Sequence, residues 1–342
     1  MKRWLVVVLL SSVLLAGCQF RPVVPDRPVR IAFMSDRDGS FAVYLINRDG
    51  SNAVSLTPGE GVNSGLPHWS PAAGLLTYIT DQGKETLVVE AVDLAGQNSR
   101  VLAEEPPANA SPPIWSPTGE WIAFSSGLPG GSVDVYLLNA ASGEVVNLTD
   151  SPSQDEFAAW SPDGREILFT SDRDETLAIY KMSVEGGEPV RLTEVESAAA
   201  APEWSPDGSK IAFMTNRDED VEIYVMDADG GNPVRLTESE GFDGFPHWSP
   251  DGTKIAFVSG RDGDAEIYLM NSDGSEVVNL TNSPQSQESI QGDFSWSPDG
   301  RQILFHTDRD GNMEVYVMNA DGSNPTNISN SPATDFASVW VK

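Results

Sequence analysis

The sequence holds three imidazoles, at His68, His247 and His306. His68 and His247 each stand immediately before a tryptophan, and Glu203 takes the same place before a third. Two imidazoles and a carboxylate brought to one point could bind a metal ion or act as a base. Ile114, Ala159, Ser295 and Val339 fill the equivalent place elsewhere, so the position tolerates many residues. Asp155, Asp243 and Asp335 lie five residues before their tryptophans. Carboxylates at matching places could collect a cation such as Ca²⁺. Satisfying local turn amides is the commoner use of aspartate in such a place. No other cofactor is expected. The chain has no G-x-S-x-G elbow, P-loop, H-E-x-x-H or C-x-x-C, so no recognisable catalytic constellation is present and an enzyme is not the first expectation.

A clearer pattern is Arg-Asp, at Arg37-Asp38, Arg173-Asp174, Arg217-Asp218, Arg261-Asp262 and Arg309-Asp310. Each arginine is expected to pair with an acidic residue close by or on a neighbouring unit, and each aspartate to form a turn. Two units break the pattern, with TDQGK at Thr80–Lys84 and SSGLPGG at Ser125–Gly131. They also lose the SPDG turn found elsewhere, reading SPAAG and SPTGE. This less acidic sector, with Lys84, Leu128 and Pro129, is a candidate docking surface for a partner.

The elements that position these residues follow from a repeat. Tryptophan recurs at 69, 115, 160, 204, 248, 296 and 340, a spacing of 44 to 48 residues. Such a period points to propeller blades or solenoid coils. The fullest copy is FPHWSPDGTKIAFVSGRDGDAEIYLMNSDGSEVVNLT, Phe245–Thr281. Each copy divides into four short strands. The first ends at the tryptophan, and SPDG turns the chain. IAF or ILF opens the second, IYVM or a variant forms the third, and NSDG or NADG turns into a fourth ending in LT. No stretch outside the N-terminal segment has sustained helical periodicity.

Counting second strands gives seven, beginning at Ile31, Leu75, Ile122, Ile167, Ile211, Ile255 and Ile303. Residues 30–57 hold strands two to four without a first, and residues 335–340 hold a first strand without followers. SPATDFASVW near the C-terminus matches SPSQDEFAAW 180 residues earlier. The spacing therefore predicts an all-β, seven-bladed propeller of four-stranded antiparallel blades, closed by the C-terminal strand beside Ile31–Ser35. Closure leaves only short, protected strand edges. The tryptophans are expected to pack between blades.

Composition bounds the function. The formal net charge is −30, which excludes nucleic acid as a partner, since phosphate binding needs clustered Lys and Arg. The single cysteine, Cys18, excludes an intrachain disulfide. It closes MKRWLVVVLLSSVLLAGC: two basic residues, an apolar run, then small residues. That order is a secretory signal. Leu15-Ala16-Gly17-Cys18 resembles the bacterial lipobox, which implies lipidation of Cys18. Residues 1–17 are therefore expected to be a signal peptide and 18–29 the lipidated cysteine and a proline-rich tether, with the propeller over 30–342. The expected location is the bacterial cell envelope, lipid-anchored to a membrane and facing periplasm or exterior, as a monomer.

The WSPDG-x-x-IAF-x-S-x-RDG-x-x-x-IYVMNADG pattern resembles the TolB-type repeat, a relative of WD-type propeller repeats, over 30–342. TolB-type proteins have six blades and an added α/β domain; seven blades are counted here, and they leave no length for that domain. The resemblance implies a platform in the envelope that binds a protein, peptide or glycan. Related propellers precede the hydrolase domain of prolyl-oligopeptidase-like enzymes, and another relative is a lyase acting on oligogalacturonate. The alternative function is thus a metal-dependent polysaccharide lyase. Such an enzyme needs His and basic residues at the channel mouth to hold an anionic substrate, and the acidic balance weighs against it.

Overall fold

A computed structural model describes residues 29–342, apart from 58–60, 82–86, 105–110, 128–130, 195 and 284–292. Lys84, Leu128 and Pro129 of the candidate docking sector lie outside the described residues, as do Cys18 and the signal segment. The described chain forms seven sheets of four antiparallel strands. Six are consecutive in sequence. The seventh, blade 1, joins Asp335–Val341 to Arg30–Ser35, Ala42–Asn47 and Val54–Ser55. Trp340 pairs with Ile31 and Val341 with Arg30. The expected ring closure is therefore observed. Blades 2 to 7 begin with the innermost strands Ser64–Ser70, Ile114–Trp115, Asp155–Trp160, Ala199–Trp204, Asp243–Trp248 and Ser295–Trp296.

Local chemistry sets these strands. In blade 6 the Gly252 amide donates to the Ser249 carbonyl at 2.8 Å, and Ser249 Oγ donates to Asp251 at 2.7 Å. Pro250 presets the turn, and Gly252 closes it at φ 70°. The LT motif has a second use that its sequence does not advertise. Thr57, Thr149, Thr193, Thr237 and Thr281, with Ser329 in blade 7, each accept a third-strand amide through the side-chain oxygen. The short outer strand is thus clasped where its ladder ends.

The core is divided among the junctions between blades. Trp160 packs with Val135 and Leu137 of the preceding blade, and Trp204 with Leu168 and Ile179. Trp248 packs with Ile223 and Val225, and Trp340 with Val315 and Val317. Four indole nitrogens also reach back to backbone carbonyls: Trp160 to Ile114, Trp296 to His247, Trp340 to Ser295 and Trp69 to Lys342. The repeating tryptophan is an inter-blade wedge, as its fixed position leads one to expect.

The 1–2 and 3–4 turns share one end of the ring, and the Arg-Asp loops with the connections between blades share the other. At the first end the 3–4 turn glycines approach the preceding blade. A Cβ on Gly274 would lie 2.8 Å from the Leu236 carbonyl, and one on Gly322 2.8 Å from that of Leu280.

Candidate functional site

The innermost strands carry a recurring irregularity. Leu66, Ala201, Phe245 and Ala337, each three residues before its tryptophan, have φ between 47° and 54°. The strand pairing shifts register at the same places. A bulge re-aims the residues after it. It costs strain, because a non-glycine residue is held in the left-handed region. The residues that follow are those singled out from sequence: His68, Glu203 and His247 all line one cavity of about 1070 Å³ running along the channel.

Their bonds divide them. His68 Nδ1 accepts the Trp115 amide of the next blade at 3.2 Å, which places the ring proton on Nε2. Enclosure by the channel wall pulls its pKa down to about 4, so this imidazole is neutral at pH 7. Glu203 makes the same reach to the next blade, accepting the Trp248 amide at 3.0 Å through Oε1. Its Oε2 lies 2.5 Å from His247 Nδ1, an ion pair when the ring is protonated. The structure therefore joins Glu203 to His247, while His68 serves a backbone amide.

Asp293, three residues before Trp296, was not singled out from sequence because it stands outside the five-residue spacing of the other aspartates. It lines the same cavity. Desolvation by the channel wall raises its pKa, and the charge of His247 opposes that shift. The Phe294 ring meets His247 edge-on, with centroids 4.6 Å apart. The described lining holds three carboxylates (Glu156, Glu203 and Asp293), two imidazoles, the rings of Phe157 and Phe245, and no Lys or Arg. Such a wall suits a cationic or neutral group with apolar surface and repels anions.

Asp155, Asp243 and Asp335 do not converge. Each is the first residue of its own innermost strand, fully buried, and paired within the same blade: Asp155 with Arg173 at 2.9 Å, Asp243 with Arg261 at 2.7 Å, Asp335 with Arg37 at 3.1 Å. The register explains why. Asp155 pairs with Ser171, and Arg173 curls back to bond both Ser171 Oγ and Asp155. The arginines stack on tyrosines, with Arg37 4.7 Å from the centre of Tyr44 and Arg173 4.9 Å from that of Tyr180. Each of those tyrosines donates to the aspartate of the Arg-Asp pair, Asp38 or Asp174. Burial then pushes both phenols up to about 12, helped by the aspartate. The Arg-Asp motif is thus a bracket holding loop to strand. Among the described residues, no group of three or more His, Cys, Asp or Glu is placed to hold a metal ion.

Comparison with known proteins agrees with this architecture. A family model described as the TolB beta propeller domain matches residues 28–200 and 191–294. The Tol-Pal system protein TolB of Francisella tularensis subsp. mediasiatica is 36% identical over 75 residues. That stretch is 22% of this chain and 17% of the relative, so the chain matches only a small part of that protein. Among solved structures, TolB from Acinetobacter baumannii is similar with a TM-score of 0.54 and 22% identity, covering 73% of this chain and 63% of that one. Oligogalacturonate lyase from Vibrio parahaemolyticus is similar with a TM-score of 0.69 and 17% identity, covering 84% and 85%. At these identities both likenesses concern the fold.

Proposed function

The chain belongs to the TolB beta-propeller domain family, and from that premise we propose that it is a binding platform of the bacterial cell envelope. Its ligand is a protein, peptide or glycan, and it acts as a monomer without chemistry of its own. The observation carrying this reading is the channel wall, which offers carboxylates, aromatic rings and a Glu203–His247 pair but no cation among its described residues. A lyase acting on an acidic sugar would meet repulsion there. Fold alone does not dictate function; the wall chemistry supports the binding reading.

Cys18 is the proposed lipidation site and would tether the propeller to a membrane. Lys84, Leu128 and Pro129 are the proposed docking sector. The test is crosslinking and pull-down from intact envelopes. We expect a partner captured by the unaltered protein to be lost from His247→Ala if it enters the channel, and from Lys84→Glu or Leu128→Glu if it docks on the sector. Unchanged capture by all three variants would overturn both placements. Stoichiometric transition metal in the purified protein, found by elemental analysis, would favour the lyase reading instead. Cys18→Ser is expected to move the protein to the soluble fraction and abolish incorporation of labelled fatty acid.

A further inference from the structure

Blade 5 breaks the bracket described above. Arg217 stacks on Tyr224 at 4.7 Å as its counterparts do on their tyrosines. The residue in the place of Asp155, Asp243 and Asp335 is Ala199, which is buried. Among the described residues Arg217 makes no ion pair, and its Nε is buried without an acceptor. The hydroxyl that should bond it is also lost, because Thr215 Oγ1 donates to the Ala198 carbonyl at 2.8 Å.

The adjoining blade repeats the omission. At the 3–4 and 5–6 junctions a chain of groups crosses between blades: Asp134, Ser151, Asp155 and Arg173 in one, Glu222, Ser239, Asp243 and Arg261 in the other. At the 4–5 junction the two acids of that chain are Ala178 and Ala199. Only the arginine remains. Leu177, Ala200 and Met214 at this junction line the channel cavity, whereas Arg217 stands outside that anion-repelling wall and is partly exposed.

We propose that the 4–5 junction is a recognition site for a carboxylate carried beside an apolar group, with Arg217 as its cationic anchor. The arriving carboxylate takes the role that Asp155, Asp243 and Asp335 play at their own arginines. A planar guanidinium already stacked on a ring is preorganised for such a pair. Ala178 and Ala199 are buried and leave no acid beside Arg217, while Leu177 and Ala200 offer apolar contact where the channel cavity meets the junction. The surrounding acidic surface keeps the affinity modest and makes the site selective for a ligand with apolar surface to bury.

Saturation-transfer NMR with the full chain tests this without knowledge of any partner, so its outcome is independent of the envelope reading. The probes are acetyl-Ala-Leu-Ala with a free C-terminus and acetyl-Ala-Glu-Ala amide, with acetyl-Ala-Gln-Ala amide as control. Transfer to the first probe alone assigns a chain-end carboxylate, and transfer to the second alone an acidic side chain. Arg217→Gln and Ala199→Asp should each weaken binding by about tenfold or more, the scale of one charge-assisted hydrogen bond. Ala199→Asp should do so while leaving the melting temperature unchanged or higher, because it rebuilds the bracket. Equal binding of the glutamine control, unchanged binding by both variants, or no transfer to either carboxylate probe would each overturn the assignment.

Discussion

The indole nitrogen of Trp340 donates to the Ser295 carbonyl at 3.3 Å, fastening the last strand of the chain to the blade beside it. The same side chain is 5% exposed and packs with Leu304, Val315 and Val317. Trp340→Ala should therefore cost roughly 3–5 kcal/mol, as expected for a large buried aromatic. Trp340→Phe should cost less, since it keeps most of the packing and loses only the donor. Urea denaturation monitored by far-UV circular dichroism measures both.

Two imidazoles make the ring sensitive to acid. His68 and His306 are each pulled by burial from 6.5 to about 4. Each accepts a backbone amide of the next blade, from Trp115 and Ser338 respectively. The unfolded chain therefore binds these protons more readily than the folded one. Their contribution is fully present above pH 6.5 and is lost as pH falls towards 4, on the order of 3 kcal/mol for each ring. Melting temperatures at pH 7 and pH 4.5 should diverge for the unaltered protein and diverge less for His306→Asn. An equal acid loss in that variant would refute the role of His306.

Breaking one bracket should destabilise more than breaking a surface pair. Asp335 is fully buried, and Arg37 keeps 20% of its side chain exposed. Asp335→Asn should cost about 2–4 kcal/mol, below the full value for a buried pair because Arg37 stays partly solvated. Lys210 and Asp227, both substantially exposed at 46% and 33%, form the comparison pair. Asp227→Asn should shift stability by less than about 1 kcal/mol.

Turn glycines separate conformational strain from close approach. Gly263 has φ 97° with open space around it, whereas Gly274 has φ 85° and the Leu236 carbonyl 2.8 Å from where a Cβ would sit. Gly263→Ala should cost about 1–2 kcal/mol for the left-handed backbone alone. Gly274→Ala should cost visibly more, because backbone of the neighbouring blade must give way. Thermal melts of the two variants give the difference directly.

The ring was legible in sequence because its period is carried by side chains that cannot be exchanged: a wedge tryptophan, a Pro-Asp-Gly turn and an Asp-Gly turn. Seven second strands against a displaced first strand predicted the pairing of Trp340 with the N-terminal strand. The channel positions of His68, Glu203 and His247 were also legible, since equal places in successive blades line one axis. The bulges at Leu66, Ala201, Phe245 and Ala337 were not. Proline follows three of them, but no local rule requires a left-handed residue there. The mutual bond of Glu203 and His247 depends on side-chain reach between adjacent blades, which periodicity does not specify. The bracketing aspartates looked like possible cation ligands because spacing equates their positions without saying which arginine lies opposite.

The displaced strand also has a consequence for biogenesis. Arg30 pairs with Val341, 311 positions later, so closing that contact carries a large loop-closure entropy. A polypeptide delivered N-terminus first forms an incomplete crescent until its final stretch arrives. Throughout that interval Arg30–Ser35 offers an unsatisfied hydrogen-bonding edge. Premature termination thus yields a product that chaperones and proteases can recognise by the gap alone.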